Sequence, residues 1–241
     1  MEKTLLVIGA SSDMGVATIR AVKEEYMCII AHYFHMNEKL KALQLELEKR
    51  MVCVQADLSN IEEVEKLIKT IRELGLQPSH IVHFPAPTFN NSRFHKLRWE
   101  AFQRQMDVSL KSLVIILQAF LPNMLKQQYG KVVIMLSVVV NNIPPAHITD
   151  YVVTKYALLG LVKALATEYA DKGITVNGIS PAMVQTKYIA NQPEVIIEQR
   201  AQASPIGRNL VPEDVTPSII YLLSDGADCI NGQNISITCG R

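Results

Sequence analysis

Short apolar runs recur along this chain, and the stretches between them carry apolar residues on a helical spacing. The runs cover residues 4–9, 28–32, 52–55, 80–84, 131–137, 175–179 and 235–238. Short and largely apolar, they fit parallel strands buried on both faces. Of the intervening stretches, 38–50 and 61–74 pair a charged face with an apolar one, and 99–127 is long and amphipathic. Stretch 150–171 places Leu158, Leu161 and Leu165 on helical spacing, and 212–223 opens with Pro212, which suits a first helical turn. Strands alternating with helices imply a parallel sheet with right-handed crossovers. The expectation is an α/β chain forming one domain over residues 1–241. Its doubly wound parallel sheet has about seven strands, with helices on both faces. There is no linker, repeat or low-complexity segment, and a hydrophobic content of 49% suits a sizeable core.

Candidate chemistry concentrates in three places. Tyr151 and Lys155 stand at i and i+4 in the run Tyr151-Val152-Val153-Thr154-Lys155, which puts both on one helix face. A nearby ammonium favours the phenolate, so the pair is expected to act as an acid/base with a lowered tyrosine pKa. Near the N-terminus, an apolar run is followed by Gly9-Ala10-Ser11-Ser12-Asp13-Met14-Gly15 and then a helical pattern. Strand, glycine-bearing turn and helix together form an arrangement that holds a dinucleotide pyrophosphate at a helix N-terminus. A tight turn that needs glycine for its φ angle is the plainer reading of the same residues. Ser137 ends the fifth apolar run, where ligands of open α/β sheets bind, and its hydroxyl can hydrogen-bond a substrate carbonyl.

With these residues in view, the chain resembles the short-chain dehydrogenase/reductase family, and within it the 3-oxoacyl-acyl-carrier-protein reductases. The likeness runs along essentially the whole chain. Ala56-Asp57-Leu58 resembles the segment whose Asp contacts the adenine, and 175–181 resembles the strand and turn covering the nicotinamide. Tyr221-Leu222-Leu223-Ser224-Asp225 and Ile230-Asn231-Gly232-Gln233 resemble the final helix and strand. The resemblance implies a Rossmann-type fold and catalytic roles for Ser137, Tyr151 and Lys155. Ser109 stands in the place of the family's catalytic Asn. It implies cofactor contacts from Gly9, Ser11, Ser12, Asp13, Met14, Gly15, Tyr33, His35, Asp57, Leu58, Pro85, Ala86, Tyr151, Lys155, Pro181, Met183, Val184 and Thr186. It also implies a substrate lid over 183–208, and a homodimer or homotetramer formed through stretches 99–127 and 150–171 and the last strand.

The sequence departs from the family at several points. Asp13 replaces a loop glycine and brings a negative charge toward the pyrophosphate. His83-Phe84-Pro85-Ala86-Pro87 replaces an Asn-Asn-Ala-Gly turn, and Ala182 replaces a glycine. The spacing from Ser137 to Tyr151 is about one residue longer than in the family.

Cofactor choice turns on the end of the second strand. An acidic residue there selects NAD by binding the ribose hydroxyls. Ala31-His32-Tyr33-Phe34-His35 contains no carboxylate, and His35 and Lys39 are the nearby basic groups, which favours NADP(H) over NAD(H). Val138, Val139, Val140, Ile143, Pro144 and Pro145, with Met183 and Tyr188, suggest an apolar pocket wall. The expected reaction is reduction of a carbonyl, in an acyl thioester or a small molecule, to a secondary alcohol. Arg200 and Arg208 are candidates for greeting an acidic carrier protein. Reduction of a small ketone, sugar or secondary-metabolite carbonyl, and nucleotide binding without turnover, are the alternatives.

Composition narrows the partners. A net charge of +1 gives no footprint for nucleic acid or an anionic membrane. No apolar stretch is expected to span a bilayer. Met1-Glu2-Lys3 leads directly into a strand, so no leader is expected and a cytoplasmic location is. The cysteines, Cys28, Cys53, Cys229 and Cys239, are scattered and read as reduced thiols, and neither they nor the six histidines show metal-ligand spacing. His80 and His83 bracket a strand end and read as structural or cofactor-side.

Overall fold

The computed structural model describes residues 3–88 and 91–240. Met1 and Glu2, read above as leading into the first strand, lie outside them, as does Arg241. The elements in chain order are β1 (Thr4–Ile8), α1 (Asp13–Val22), β2 (Cys28–Tyr33), α2 (Glu38–Leu47), β3 (Met51–Gln55), α3 (Ile61–Glu73) and β4 (His80–His83). Then come α4 (Trp99–Met106), α5 (Ser112–Gln127), β5 (Gly130–Met135), α6 (Thr149–Glu168), β6 (Ile174–Pro181), α7 (Glu194–Gln202), α8 (Pro212–Leu223) and β7 (Asn234–Ile237).

The seven strands form one parallel sheet in the order β3-β2-β1-β4-β5-β6-β7. Alternate residues of each strand feed two cores. Leu6, Ile8, Ile30, Ile81, Val132 and Ile134 pack with α3, α5 and α6. Leu5, Val7, Ile29, Ala31, Val82 and Val133 pack with α1, α2 and α8 on the opposite face. A strand buried on both sides needs apolar residues at successive positions, which is why the runs are continuous rather than alternating.

Helix starts follow local capping chemistry. Ser12 caps α1 by accepting the Gly15 N–H at 3.0 Å, and Asn37 caps α2 by accepting the Leu40 N–H at 2.9 Å. At α8, Pro212 occupies the first turn while the Asp214 carboxylate accepts the Val211 N–H at 2.8 Å.

Two expectations are corrected here. Stretch 99–127 is not one regular helix, because a π-helical turn at Asp107–Lys111 separates α4 from α5. That stretch is also long and apolar enough, by composition, to cross a bilayer. Its residues Leu113, Ile116, Leu117 and Phe120 are instead buried in the core formed with β4 and β5.

The strand order reverses between β1 and β4, which both leave the sheet at the same edge. Their carboxyl ends diverge into separate loops there, and a crevice opens between them.

Candidate active site

The turn after β1 is built for close approach. Gly9 has φ +83°, which a side chain disfavours, and an added Cβ would come within 3.2 Å of the Pro85 ring. A Cβ on Gly15 would lie 2.6 Å from the Gly9 carbonyl oxygen, so α1 can press against the turn only with glycine there. The Ser12 hydroxyl donates to the Gly9 carbonyl at 2.7 Å and so closes the loop. The N–H groups of Asp13 and Met14 have no protein acceptor among the described residues. Unpaired donors at a helix N-terminus beside a bare backbone fit a nucleotide pyrophosphate.

His32 holds this turn from beneath. The Gly9 N–H donates to His32 Nδ1 at 3.1 Å, which leaves Nε2 to donate to the Ala56 carbonyl, also at 3.1 Å. Burial pushes this histidine down to about 4, so it is neutral at physiological pH. His32 is a structural residue of the site that no motif in the sequence marks. Its signal was a polar residue inside a run buried on both faces.

Asp13 does not stand bare against the crevice. Its carboxylate pairs with Lys39 at 2.8 Å and accepts the backbone N–H of Lys187 at 2.8 Å. Burial alone would raise its pKa, but the Lys187 N–H and Lys39 together hold it below the usual carboxylate range. Lys39, read above as a basic candidate for the cofactor, is thereby engaged elsewhere.

The crevice is a cavity of about 800 Å³. Of the residues named from the sequence, it brings together Gly9, Ser11, Ser12, Asp13, Met14, Pro85, Ala86, Ser137, Tyr151, Lys155, Pro181, Met183, Val184 and Thr186. Gly15 lies buried behind the turn. Tyr33, His35, Asp57, Leu58 and Ser109 do not line the cavity. Asp57 accepts from the Ser59 N–H and hydroxyl in its own turn, at 2.8 and 2.7 Å, and Leu58 is buried in the core. Ser109 sits inside the π-helical turn, buried against α6, with no hydrogen-bond partner for its hydroxyl among the described residues.

His80 and His83 occupy opposite ends of β4. His83 is fully buried at the carboxyl end, and its pKa is held well below the ordinary value by burial and then by Lys155. His80 faces the far edge of the sheet, bonded to Ser79 at 2.8 Å and to Tyr129 at 3.2 Å. The cofactor-side reading of His80 is therefore corrected.

Ser137, Tyr151 and Lys155 meet on the α6 side. The Ser137 hydroxyl hydrogen-bonds the Tyr151 side chain. Lys155 Nζ lies 5.5 Å from the Tyr151 ring centroid and donates to the Met135 carbonyl at 2.7 Å. The expected lowering of the tyrosine pKa does not appear. Burial pushes Tyr151 up to about 12, with Ser137 acting against it, and burial pushes Lys155 down to about 7. In this cleft desolvation outweighs the attraction between phenolate and ammonium.

The substituted turn 83–87 is closed by segment 183–208. The Pro87 carbonyl accepts from the Tyr188 hydroxyl and from Gln105 Nε2, each at 3.1 Å. Val138, Val139, Ile143, Pro144, Met183 and Tyr188 line the cavity, as expected for an apolar wall.

Comparison with known proteins adds context to this geometry. A family model described as enoyl-(acyl carrier protein) reductase matches residues 9–241. A 3-oxoacyl-[acyl-carrier-protein] reductase of Rickettsia felis is 29% identical, the alignment covering 99% of this chain and 96% of that protein. The Staphylococcus aureus protein of the same name is 29% identical, with coverage of 100% and 98%. A solved 3-oxoacyl-[acyl-carrier protein] reductase with bound NAD from Brucella melitensis superposes with TM-score 0.85 at 25% identity, covering 99% of this chain and 90% of that one. Levodione reductase superposes with TM-score 0.89 at 21% identity, covering 100% and 97%.

Proposed function

We propose, from the premise that this chain belongs to the short-chain dehydrogenase/reductase family, that its cavity reduces the 3-oxo ketone of an acyl thioester to a secondary alcohol with NADPH. The chain is an NAD(P)-dependent oxidoreductase. The reading is carried by the meeting of Ser137, Tyr151 and Lys155 in one cavity with the Gly9–Gly15 cradle.

When bound, the nicotinamide supplies the hydride. Ser137 orients and polarises the substrate carbonyl. Burial keeps Tyr151 protonated throughout the physiological range, so the proton it must deliver is present. An alkoxide is much more basic than a phenolate, so negative charge on the substrate oxygen draws that proton across. Lys155, fixed by the Met135 carbonyl, stabilises the resulting phenolate while it carries its proton. Ser109 supports α6 from the π-helical turn in the place of the family's Asn.

NADPH is favoured because Tyr33, Phe34 and His35 leave no carboxylate at the end of β2. Segment 183–208 serves as the lid, and residues 1–241 act as one domain. Copies pair through α4, α5, α6 and β7, where Trp99, Val153 and Tyr156 are exposed. A cytoplasmic location follows from the same reading.

The test is nucleotide oxidation with a panel of 3-oxoacyl thioesters and small ketones, and melting curves with NADPH and NADH. A ligand at 100 times its Kd stabilises by about 2.7 kcal/mol. Turnover of thioesters with an NADPH-specific melting shift supports the reading. Turnover confined to small ketones transfers the activity to them, and no turnover with any carbonyl overturns it.

A further inference from the structure

Two cations lining the cavity have side chains without a partner among the described residues, and only one of them is half-buried. The charged residues lining it are Asp13, Lys155, Lys187, Arg200 and Arg208. Asp13 is engaged by Lys39 and the Lys187 N–H, and Lys155 by the Met135 carbonyl. Arg208 is held in a two-pronged pair by Asp214, at 2.6 and 3.0 Å. Lys187 is engaged only through its backbone N–H and its side chain is exposed, so Arg200 differs from it in depth. It is half-buried on α7, and no hydrogen bond or ion pair engages its guanidinium among the described residues. Among the described residues, the only carboxylate lining the cavity is Asp13, which is already committed.

The placement of Arg200 is built rather than incidental. Ile196, Arg200 and Ser204 follow at intervals of four along and just beyond α7, and all three line the cavity. Helical spacing puts the first two on one face, so the guanidinium and an apolar wall share that face. Asn209 ties α7 to the base of the segment by donating to the Ile197 carbonyl at 2.9 Å. A guanidinium is a planar fork of donors that matches a carboxylate or phosphate better than an ammonium does. A guanidinium lining an apolar cavity with no protein partner among the described residues keeps all its donors free for an anionic ligand.

We infer that Arg200 forms an anion subsite, and that the substrate carries a carboxylate or phosphate separate from the carbonyl being reduced and joined to it by an apolar body. This rests on the reductase reading and deepens it by naming the substrate class. The anion is either the acid end of a free oxo acid or the phosphate of a phosphopantetheine arm, and both use the same fork of donors.

The test uses the full chain with saturating NADPH and three ketone probes of matched acyl length. They are a neutral N-acetylcysteamine thioester, the phosphopantetheine thioester and a ketone with a terminal carboxylate. Arg200→Gln is expected to raise KM for an anionic probe roughly 10-fold or more. Its kcat, the neutral probe's KM and the Kd for NADPH should each stay within about twofold. Arg200→Lys should fall between. Whichever anionic probe responds identifies the source.

Equal KM shifts for neutral and charged probes, no shift at all, or a shift in NADPH affinity alone would overturn the subsite. Binding of the corresponding saturated carboxylate, followed by thermal shift, separates the two readings. If Arg200→Gln abolishes that binding in a chain that reduces no ketone, the subsite stands and the reductase reading fails.

Discussion

The carboxylate of Asp13 accepts the backbone N–H of Lys187, so the turn proposed to hold the pyrophosphate is tied directly to the proposed lid. The same carboxylate holds Lys39. Asp13→Asn keeps an acceptor for the Lys187 N–H but removes a negative charge from the cradle. We expect NADPH affinity to rise roughly twofold to tenfold, read by fluorescence titration. Asp13→Ala also removes the tie, and should add faster protease cleavage within 183–208. Weaker NADPH binding in Asp13→Asn would show that the charge serves the cofactor rather than opposing it.

Tyr151 sits 9% exposed between Ser137 and Lys155, where its proton is the one available to a substrate oxygen. Tyr151→Phe keeps the ring and its packing. Turnover should fall by at least about 10²-fold while NADPH affinity stays nearly unchanged, measured by steady-state kinetics and titration. A variant with wild-type turnover would remove the phenol from the chemistry.

Lys155 is pushed down to about 7 by burial, so the cofactor-free chain loses this charge as pH rises through neutrality. An anionic nucleotide bound beside it favours the ammonium and raises its pKa. NADPH binding should therefore take up protons near pH 8 and weaken as pH rises from about 6 to about 9. Calorimetry in two buffers of different ionisation heat reads the proton uptake. Lys155→Met should abolish it.

His32 and His80 are both pushed down to about 4 by burial, and His83 is held well below its ordinary value. Below a pH near 6.5 the unfolded chain takes up protons that the folded chain refuses. The stability from these neutral rings is full above that pH and is lost as pH falls toward about 4. Each such ring contributes a slope of up to ~1.4 kcal/mol per pH unit. Urea midpoints at several pH values should show this decline, and His80→Gln should flatten it.

Gly15→Ala would force a Cβ to within 2.6 Å of the Gly9 carbonyl oxygen, a backbone atom that cannot rotate aside. Overpacking of this kind costs about 1–3 kcal/mol. A melting point lower by about 2–10 °C, with weakened NADPH binding, is the expected result.

The inner strands were legible because a strand covered on both faces is mostly apolar, and that run survives in the sequence, whereas the edge strand β7 alternates and is only partly covered. The crevice was legible because Gly9, Gly15, Ser137, Tyr151 and Lys155 occupy ends of elements whose order places them together. Depth was not legible. A spacing of four puts Lys155 near Tyr151, but it does not report the desolvation that moves both pKa values opposite to their mutual attraction. His32 was hidden for a related reason, since its two partners, Gly9 and Ala56, lie on different loops far apart in the chain. Lys39 was misread because Asp13, which captures it, lies one crossover earlier.

The π-helical turn at Asp107–Lys111 was invisible to periodicity because it adds a residue without breaking the apolar pattern. Each helical residue turns the axis by about 100°, so this insertion sets the rotational phase of everything before it relative to α5. Deleting one residue there would swing the exposed Trp99 and its neighbours around to a different side of the molecule, while α5 stayed seated on the sheet. A length change in this one turn would thus re-aim the outer surface and, through Ser109 and the packing of α4 on α6, reach the helix that carries Tyr151 and Lys155.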